Sequence, residues 1–181
     1  MPGENTWEAV SRIGPVLTEN LALYLLLMEG TNDVSWLDYS LSTTAFNLRQ
    51  ILGTALDMGV FPFISTIPPR AGSRWKQIII DRTAELNGLI EDLAGELKVM
   101  LVDNGGAFLD FPPSSGGHEA LISDDNIHPN NLGYQVMAET WYQQIRRLPF
   151  PPASLVAAWK AFAASSGWPN CTRTCPRSNV A

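Results

Sequence analysis

The stretch YLLLMEGTNDVSW, residues 24–36, joins an apolar run to a cluster of small polar residues. The apolar residues are continuous rather than alternating, which predicts a strand from Leu21 to Met28 that is covered on both faces. The strand ends at Gly30-Thr31-Asn32-Asp33, where Gly30 permits backbone angles that other residues avoid and Asn32 offers an uncharged amide donor. Taken alone, this tetrapeptide favours an ordinary turn that closes a strand.

The rest of the chain alternates in the same way. Two further buried strands are predicted, from Val60 to Thr66 and from Leu97 to Asp103. Apolar residues at helical spacing predict helices over Asn5–Leu17, Ser42–Met58, Trp75–Leu93 and Asn131–Leu148, with Asn130 or Asn131 as the N-cap of the last one. This order predicts a three-layer α/β/α fold with a parallel sheet and right-handed crossovers.

Two connecting regions stand apart from this alternation. The segment from Asn104 to His128 is long for a loop in a compact domain, and loops of that length are often functional. After residue 148 a PFPP break precedes one further helical pattern and an irregular tail. We therefore expect one domain over residues 1–148 and a C-terminal helix with a tail over residues 149–181.

The composition excludes several classes of protein. A hydrophobic content of 45% and a charged content of 17% are typical of a globular chain and argue against disorder. The net charge of -6 comes without any cluster of Lys or Arg, so a nucleic-acid partner is not expected. The longest apolar run is too short to span a membrane. Cys171 and Cys175 both lie in the tail, where they form a local disulfide or remain thiols.

A second polar motif is DDNIHPNNLGY, residues 124–134. Asp125 and His128 are three residues apart in a turn before a helix, so the carboxylate can accept a hydrogen bond from one imidazole nitrogen and leave the other as a base. The alternative is a surface turn with an incidental histidine. The chain's other histidine, His118, lies in a Gly-Ser-rich stretch that is less suited to holding a base in place.

A metal site built from the same region is a weaker alternative. Asp110, His118, Asp125 and His128 are residue types that bind zinc or manganese. Their spacing matches no compact ligand motif, so we expect no metal and no cofactor.

The third motif is Gly3-Glu4-Asn5-Thr6, directly before the first predicted helix. A backbone N–H at a helix N-terminus can stabilise an anion. The alternative is a plain helix cap.

Together and in this order, these motifs resemble those of the SGNH hydrolases, the GDSL family of esterases and lipases. PGENTWEAVSRI is similar to the second of the four family blocks, EGTND to the third, and DDNIHPNNLGY to the last. The resemblance extends over about residues 3–147, and the pairing of GTND with the distant DxxHPNxxGY pattern is its specific part.

The resemblance implies a role for each matching residue. The backbone N–H of Gly3 and the side-chain amide of Asn32 would form an oxyanion hole, and His128 would be the general base oriented by Asp125. Asp33 would brace the turn around Asn32 rather than touch the substrate. The substrate would be a carboxylic ester of a carbohydrate or a short lipid.

The family's first block, a Gly-Asp-Ser that carries the nucleophile and follows a central strand, is absent from the sequence. We expect the N-terminus to be incomplete, either through an internal start or through a real truncation. The serines Ser11, Ser35, Ser65, Ser114 and Ser115 are conceivable substitutes, but none follows Gly-Asp in a strand-to-helix turn. Without the first strand, unpaired strand edges would favour self-association. Two hypotheses result: a serine esterase, or a non-catalytic remnant of the fold that binds a partner.

Overall fold

The computed structural model of the chain describes residues 3–72 and 77–148. Three strands, β1 (Tyr24–Leu27), β2 (Phe61–Ser65) and β3 (Met100–Val102), form one parallel sheet in the order β1-β2-β3. Both strand pairs are parallel, so the connections between them cross over the sheet as helices. The predicted α/β fold with a parallel sheet is confirmed.

Helices cover both faces of this sheet. The five α-helices are α1 (Thr6–Glu19), α2 (Leu41–Asp57), α3 (Gln77–Leu97), α4 (Asn104–Leu109) and α5 (Asn131–Ile145). Helices α1, α2 and α3 share one buried cluster with the sheet, and α4 and α5 contribute to a second cluster. None of the described helices is long and apolar enough to cross a bilayer.

Strand β2 shows why the sheet is buried at its centre. Neighbouring residues of a strand point to opposite faces. Ile64 belongs to the cluster formed with α1, α2 and α3, while the ring of Phe63 lies 6.5 Å from that of Trp141 in α5. Both side chains are almost completely buried. This agrees with the prediction that a continuous apolar strand is covered on both faces.

Strand β1 departs from that prediction. Among the described residues it pairs only with β2, so its other edge carries no ladder partner. Leu26 is 49% exposed, although the sequence around it is as apolar as that of β2. The expectation that β1 is covered on both faces is therefore wrong at Leu26.

Two strands are shorter than predicted because the preceding helix ends later. Leu21 adopts a left-handed backbone with φ of 47°, and its N–H donates to the carbonyl of Thr18 in the last turn of α1. Lys98, with φ of 54°, ends α3 in the same way. Strand β1 therefore begins at Tyr24 rather than Leu21, and β3 at Met100 rather than Leu97.

The segment predicted as a long loop contains structure of its own. Helix α4 begins directly after β3, and two short 3-10 helices follow over Pro113–Ser115 and Gly117–Leu121. His118 lies in the second of these. The helix predicted after residue 148 and the two cysteines lie outside the described residues.

Candidate active site

Asp125 and His128 are paired by their side chains. The Nδ1 atom of His128 lies 2.6 Å from Oδ2 of Asp125, and the other carboxylate oxygen, Oδ1, accepts the backbone N–H groups of Ile127 and His128 at 2.8 and 2.9 Å. The hydrogen bond from the imidazole, followed by those from the two backbone groups, holds the pKa of Asp125 well below its usual range. With Nδ1–H donated to the carboxylate, the Nε2 lone pair of His128 is left for proton transfer. The imidazole is 69% exposed, so this atom is open to solvent.

The loop that carries this pair is held at both ends. The hydroxyl of Ser123 donates to Asp125 Oδ1 and to the carbonyl of His128, and its backbone N–H donates to the same carbonyl. A bridge pairs Ile122 with Pro129. Asn130 caps α5 through its side-chain oxygen and donates from Nδ2 to the carbonyls of residues 120 and 122. These contacts fix the backbone on both sides of His128.

The Gly3 and GTND motifs, 28 residues apart, meet in the structure. Nδ2 of Asn32 donates to the carbonyl of Glu4 at 2.7 Å. An amide group has two N–H bonds, so one remains for a ligand. Gly3 is exposed and adopts a positive φ of 78°. Gly3 is the residue before Glu4, so the motif that contains Gly3 is held next to the Asn32 amide through the carbonyl of Glu4.

Asp33 lies beneath this junction and is fully buried. Its carboxylate accepts the backbone N–H and the hydroxyl of Thr6, at 3.2 and 2.5 Å, and the hydroxyl of Thr44 at 3.2 Å. Asn47 extends the network by donating to Thr6. The carboxylate thus ties the start of α1 and helix α2 to the turn that presents Asn32, and its oxygens face protein donors.

Gly30 begins that turn, and its position requires glycine. Its φ of 118° lies in a region that side chains disfavour, and a Cβ at this position would lie 2.6 Å from Cδ2 of Leu86. Both the backbone angle and the packing against α3 therefore require glycine.

The segment that follows β2 connects the two halves of the site. The guanidinium of Arg70 donates to the carbonyl of Thr31 at 2.8 Å and to the hydroxyl of Ser35 at 2.5 Å. The next residue, Ala71, donates its N–H to the carbonyl of Asn126 in the loop of the Asp125–His128 pair. Burial lowers the pKa of Arg70. Neither Arg70 nor Ser123 is predicted from the sequence; the only signal is the position of Arg70 just past a strand end.

Charged groups flank the Gly3–Asn32 junction. Glu4 is buried and forms a bidentate pair with Arg12, with N to O distances of 2.7 and 2.8 Å. This pairing lowers the pKa of Glu4. Burial, reinforced by the carboxylate of Glu4, raises the pKa of the neighbouring Glu29 to about 7.

Two of the serines considered as substitutes for the nucleophile are bonded to other groups. Ser65 is buried, with its hydroxyl bonded to the carbonyl of Thr66 and to the amide of Asn104. The hydroxyl of Ser35 accepts from Arg70. Within residues 3–72 and 77–148, no three His, Cys, Asp or Glu side chains are grouped closely enough to hold a metal ion.

Comparisons with known proteins identify a family and related folds. A profile of the GDSL-like lipase/acylhydrolase family matches residues 1–136. No curated protein matches the sequence.

Solved structures share the fold at low identity. A GDSL-like lipase from Bacteroides thetaiotaomicron is 20% identical with a TM-score of 0.67, over 80% of this chain and 72% of that chain. A lipase/acylhydrolase from Enterococcus faecalis is 17% identical with a TM-score of 0.69, over 79% and 71%. An acetylxylan esterase from Geobacillus stearothermophilus is 16% identical with a TM-score of 0.67, over 79% and 68%.

Proposed function

The chain belongs to the GDSL-like lipase/acylhydrolase family, and from that premise we propose that it is a serine esterase acting on carboxylic esters such as acylated carbohydrates or short lipids. The observation that carries the proposal is the 2.6 Å hydrogen bond between His128 and Asp125, which leaves Nε2 of an exposed imidazole available as a base. The contact of the Asn32 amide with the carbonyl of Glu4, next to Gly3, supports the assignment of Gly3 and Asn32 as the oxyanion donors.

In the proposed reaction, a serine hydroxyl attacks the ester carbonyl carbon and His128 takes its proton at Nε2. The carbonyl oxygen becomes an oxyanion that accepts the Gly3 N–H and the remaining Asn32 N–H. His128 then returns the proton to the leaving alcohol. Water, activated by the same imidazole, releases the acid from the acyl-enzyme. Asp125 keeps the imidazole in the required tautomer throughout.

We assign the nucleophile to a Gly-Asp-Ser segment that the 181 residues do not contain. Two features support this assignment. The hydroxyls of Ser65 and Ser123 are engaged by other groups. Among the described residues, one edge of β1 has no strand partner, and a parallel strand added there would end near the turn that carries Asn32.

The choice of acylated carbohydrate or short lipid rests on the neighbouring structures. One of them is described as an acetylxylan esterase, and catalytic mutants of that enzyme replace a serine and a histidine with alanine. Others are described as lipases or acylhydrolases.

Hydrolysis of p-nitrophenyl acetate tests the proposal. The 181-residue protein should show no acyl-enzyme burst, whereas the protein extended through its upstream coding sequence should carry Gly-Asp-Ser and turn over. In the extended protein, His128→Ala should lower kcat by about a hundredfold or more. Undiminished turnover in His128→Ala would refute the mechanism.

Neighbouring aspartates provide a matched pair. Asp125→Asn removes the acceptor that fixes the tautomer of His128, and we expect a loss in kcat of about 10²–10⁴-fold. Asp124→Asn makes the same chemical change one residue earlier, on an exposed side chain, and should retain turnover. Equal activities in the two variants would mean that Asp125 has no part in the reaction.

A second candidate is a non-catalytic binding module that keeps the fold. The observations that favour it are the absent Gly-Asp-Ser and the exposed Leu26 on a strand with a free edge. A stop codon directly upstream of Met1, together with no turnover of any ester, would select this candidate over the enzyme.

A further inference from the structure

A pocket of about 180 Å³ opens at the carboxyl end of the sheet, between the first half of α3, helix α4 and the segment after β2. Its described walls are mainly apolar and include Ile79, Ile80 and Ala84 of α3 and Leu109 of α4. None of the motifs found in the sequence accounts for it.

Two polar side chains of the wall, Thr83 and Asn87, are engaged within the protein. The hydroxyl of Thr83 donates to the carbonyl of Ile79 at 2.8 Å. The amide of Asn87 accepts from the N–H of Ile67 at 2.8 Å and donates to its carbonyl at 3.0 Å. These groups therefore present little hydrogen-bonding capacity to an occupant, which favours an apolar one.

The floor of the pocket has no room for a larger side chain than glycine, and its rim presents exposed apolar side chains to a ligand. A Cβ at Gly105 would lie 2.8 Å from Nδ2 of Asn87 and 2.9 Å from the carbonyl of Ile67, so the floor requires glycine. At the rim, Ile80 is 46% exposed and Leu109 is 63% exposed. An apolar ligand would remove both side chains from water, and burial of apolar area is the main source of affinity for such a group.

One wall of the pocket is formed by the segment after β2, which contacts both halves of the candidate active site through Arg70 and Ala71. Arg70 forms part of its wall and donates to the carbonyl of Thr31, the residue before Asn32. On the other side His118 lines the pocket, and the next residue, Glu119, accepts the N–H of Gly72. A substituent of an ester bound at Asn32 would have to extend along Arg70 to reach this pocket.

We propose that the pocket binds the acyl group of the ester, with room for about six to eight non-hydrogen atoms. A dry cavity of about 150 Å³ takes up benzene, so 180 Å³ suits a hexanoyl-sized or aromatic acyl group. This inference rests on the proposed esterase function and names its preferred substrate class: esters of medium-length or aromatic acids, hydrolysed more efficiently than acetates.

A binding titration tests the pocket without requiring turnover. Sodium hexanoate, whose carboxylate stands in for the ester group, is added to the ¹⁵N-labelled 181-residue protein. We expect saturable shifts of the amide signals of Gly105 and Ala84, while acetate at the same concentrations causes none. Ala84→Phe should fill the pocket and raise the Kd for hexanoate at least tenfold. Ala138→Phe, the same change at an exposed position of α5, should leave the Kd unchanged.

A second variant covers the case in which the phenylalanine disturbs α3. Leu109→Ala shortens an exposed rim side chain and should also weaken hexanoate binding, by several-fold. If hexanoate causes no saturable shifts, or if its Kd is the same in Ala84→Phe and Ala138→Phe, the pocket is not an acyl site.

Chain-length preference in the extended enzyme separates this inference from the proposed function. The ratio of kcat/KM for p-nitrophenyl hexanoate over acetate should fall at least tenfold in Ala84→Phe. If the extended enzyme is active but this ratio is the same in Ala84→Phe, the acyl-binding role of the pocket is wrong and the esterase function is retained. If hexanoate binds but the extended protein hydrolyses no ester, the esterase function is wrong and the pocket is retained as a binding site.

Discussion

Replacing Glu29 with glutamine should make the protein more stable at neutral pH. Glu29 lies at the end of β1, half-buried and directly before Gly30. Burial raises the pKa of this carboxyl from its ordinary 4.5 to about 7, and the ionised Glu4 and Asp33 carboxylates reinforce the shift, while Arg12 opposes it in part. Glutamine keeps the shape of the side chain and removes the charge that the folded protein disfavours.

The sign and size of the effect follow from proton linkage. Between pH 4.5 and 7 the folded protein holds the Glu29 proton and the unfolded chain has lost it, so the free energy of unfolding falls as pH rises through that window. The two pKa values set an upper bound of about 3.4 kcal/mol. Because solvent reaches part of the carboxyl and screens it, we expect about 1–2 kcal/mol.

Urea unfolding monitored by circular dichroism at pH 4.5 and pH 8 measures this difference. Glu29→Gln should match the wild type at pH 4.5 and exceed it at pH 8. Glu91→Gln, an exposed position of α3, reports the effect of losing one surface charge. If the stability gain of Glu29→Gln is absent at pH 8, or is equally large at pH 4.5, the carboxyl does not titrate as the structure implies.

Three other substitutions test the elements around the site. Asp33→Ala leaves the buried donors of Thr6 and Thr44 without an acceptor and should lower the free energy of unfolding by about 2–4 kcal/mol, measured in urea; a change below 0.5 kcal/mol would contradict its bracing role. Gly30→Ala forces a side chain against Leu86 at a positive φ and should cost more than about 1 kcal/mol in the same assay, with Gly53→Ala in α2, which has open space, as the control. Leu26→Glu places a charge on the exposed face of β1 and should reduce concentration-dependent self-association, measured by analytical ultracentrifugation. A wild-type protein that stays monomeric at all concentrations would contradict self-association through this strand.

Local patterns predicted the order of elements but not where each one ends. Helices α1 and α3 both continue past the predicted boundary and stop at a residue with positive φ, Leu21 or Lys98. Neither residue is a glycine or an asparagine, so the usual signal for a helix end was missing. The exposure of Leu26 also has no local signature, because covering a strand depends on which other segments pack against it.

Some contacts of the candidate site can also be predicted from local sequence, and others cannot. The Asp125–His128 contact spans three residues and could be inferred from spacing. The family resemblance implied only that the segment around Gly3 lies near Asn32; the contact of Asn32 with Glu4, 28 residues away in the chain, was not predicted. Arg70 was not foreseen, since its partner Thr31 lies 39 residues away and is reached through a backbone carbonyl, which any residue type supplies.

The segment that contains Arg70 connects the two halves of the candidate site, which lie on separate loops. One half depends on the turn after β1 and the other on the loop before α5, and within the described residues the segment Arg70–Gly72 contacts both. A displacement of this segment would therefore change the distance between the proposed oxyanion donors and the proposed base, and it would reshape the wall of the proposed acyl pocket at the same time. Substrate positioning and oxyanion stabilisation should consequently fail together when this segment is perturbed, even though none of its three residues is assigned a chemical step.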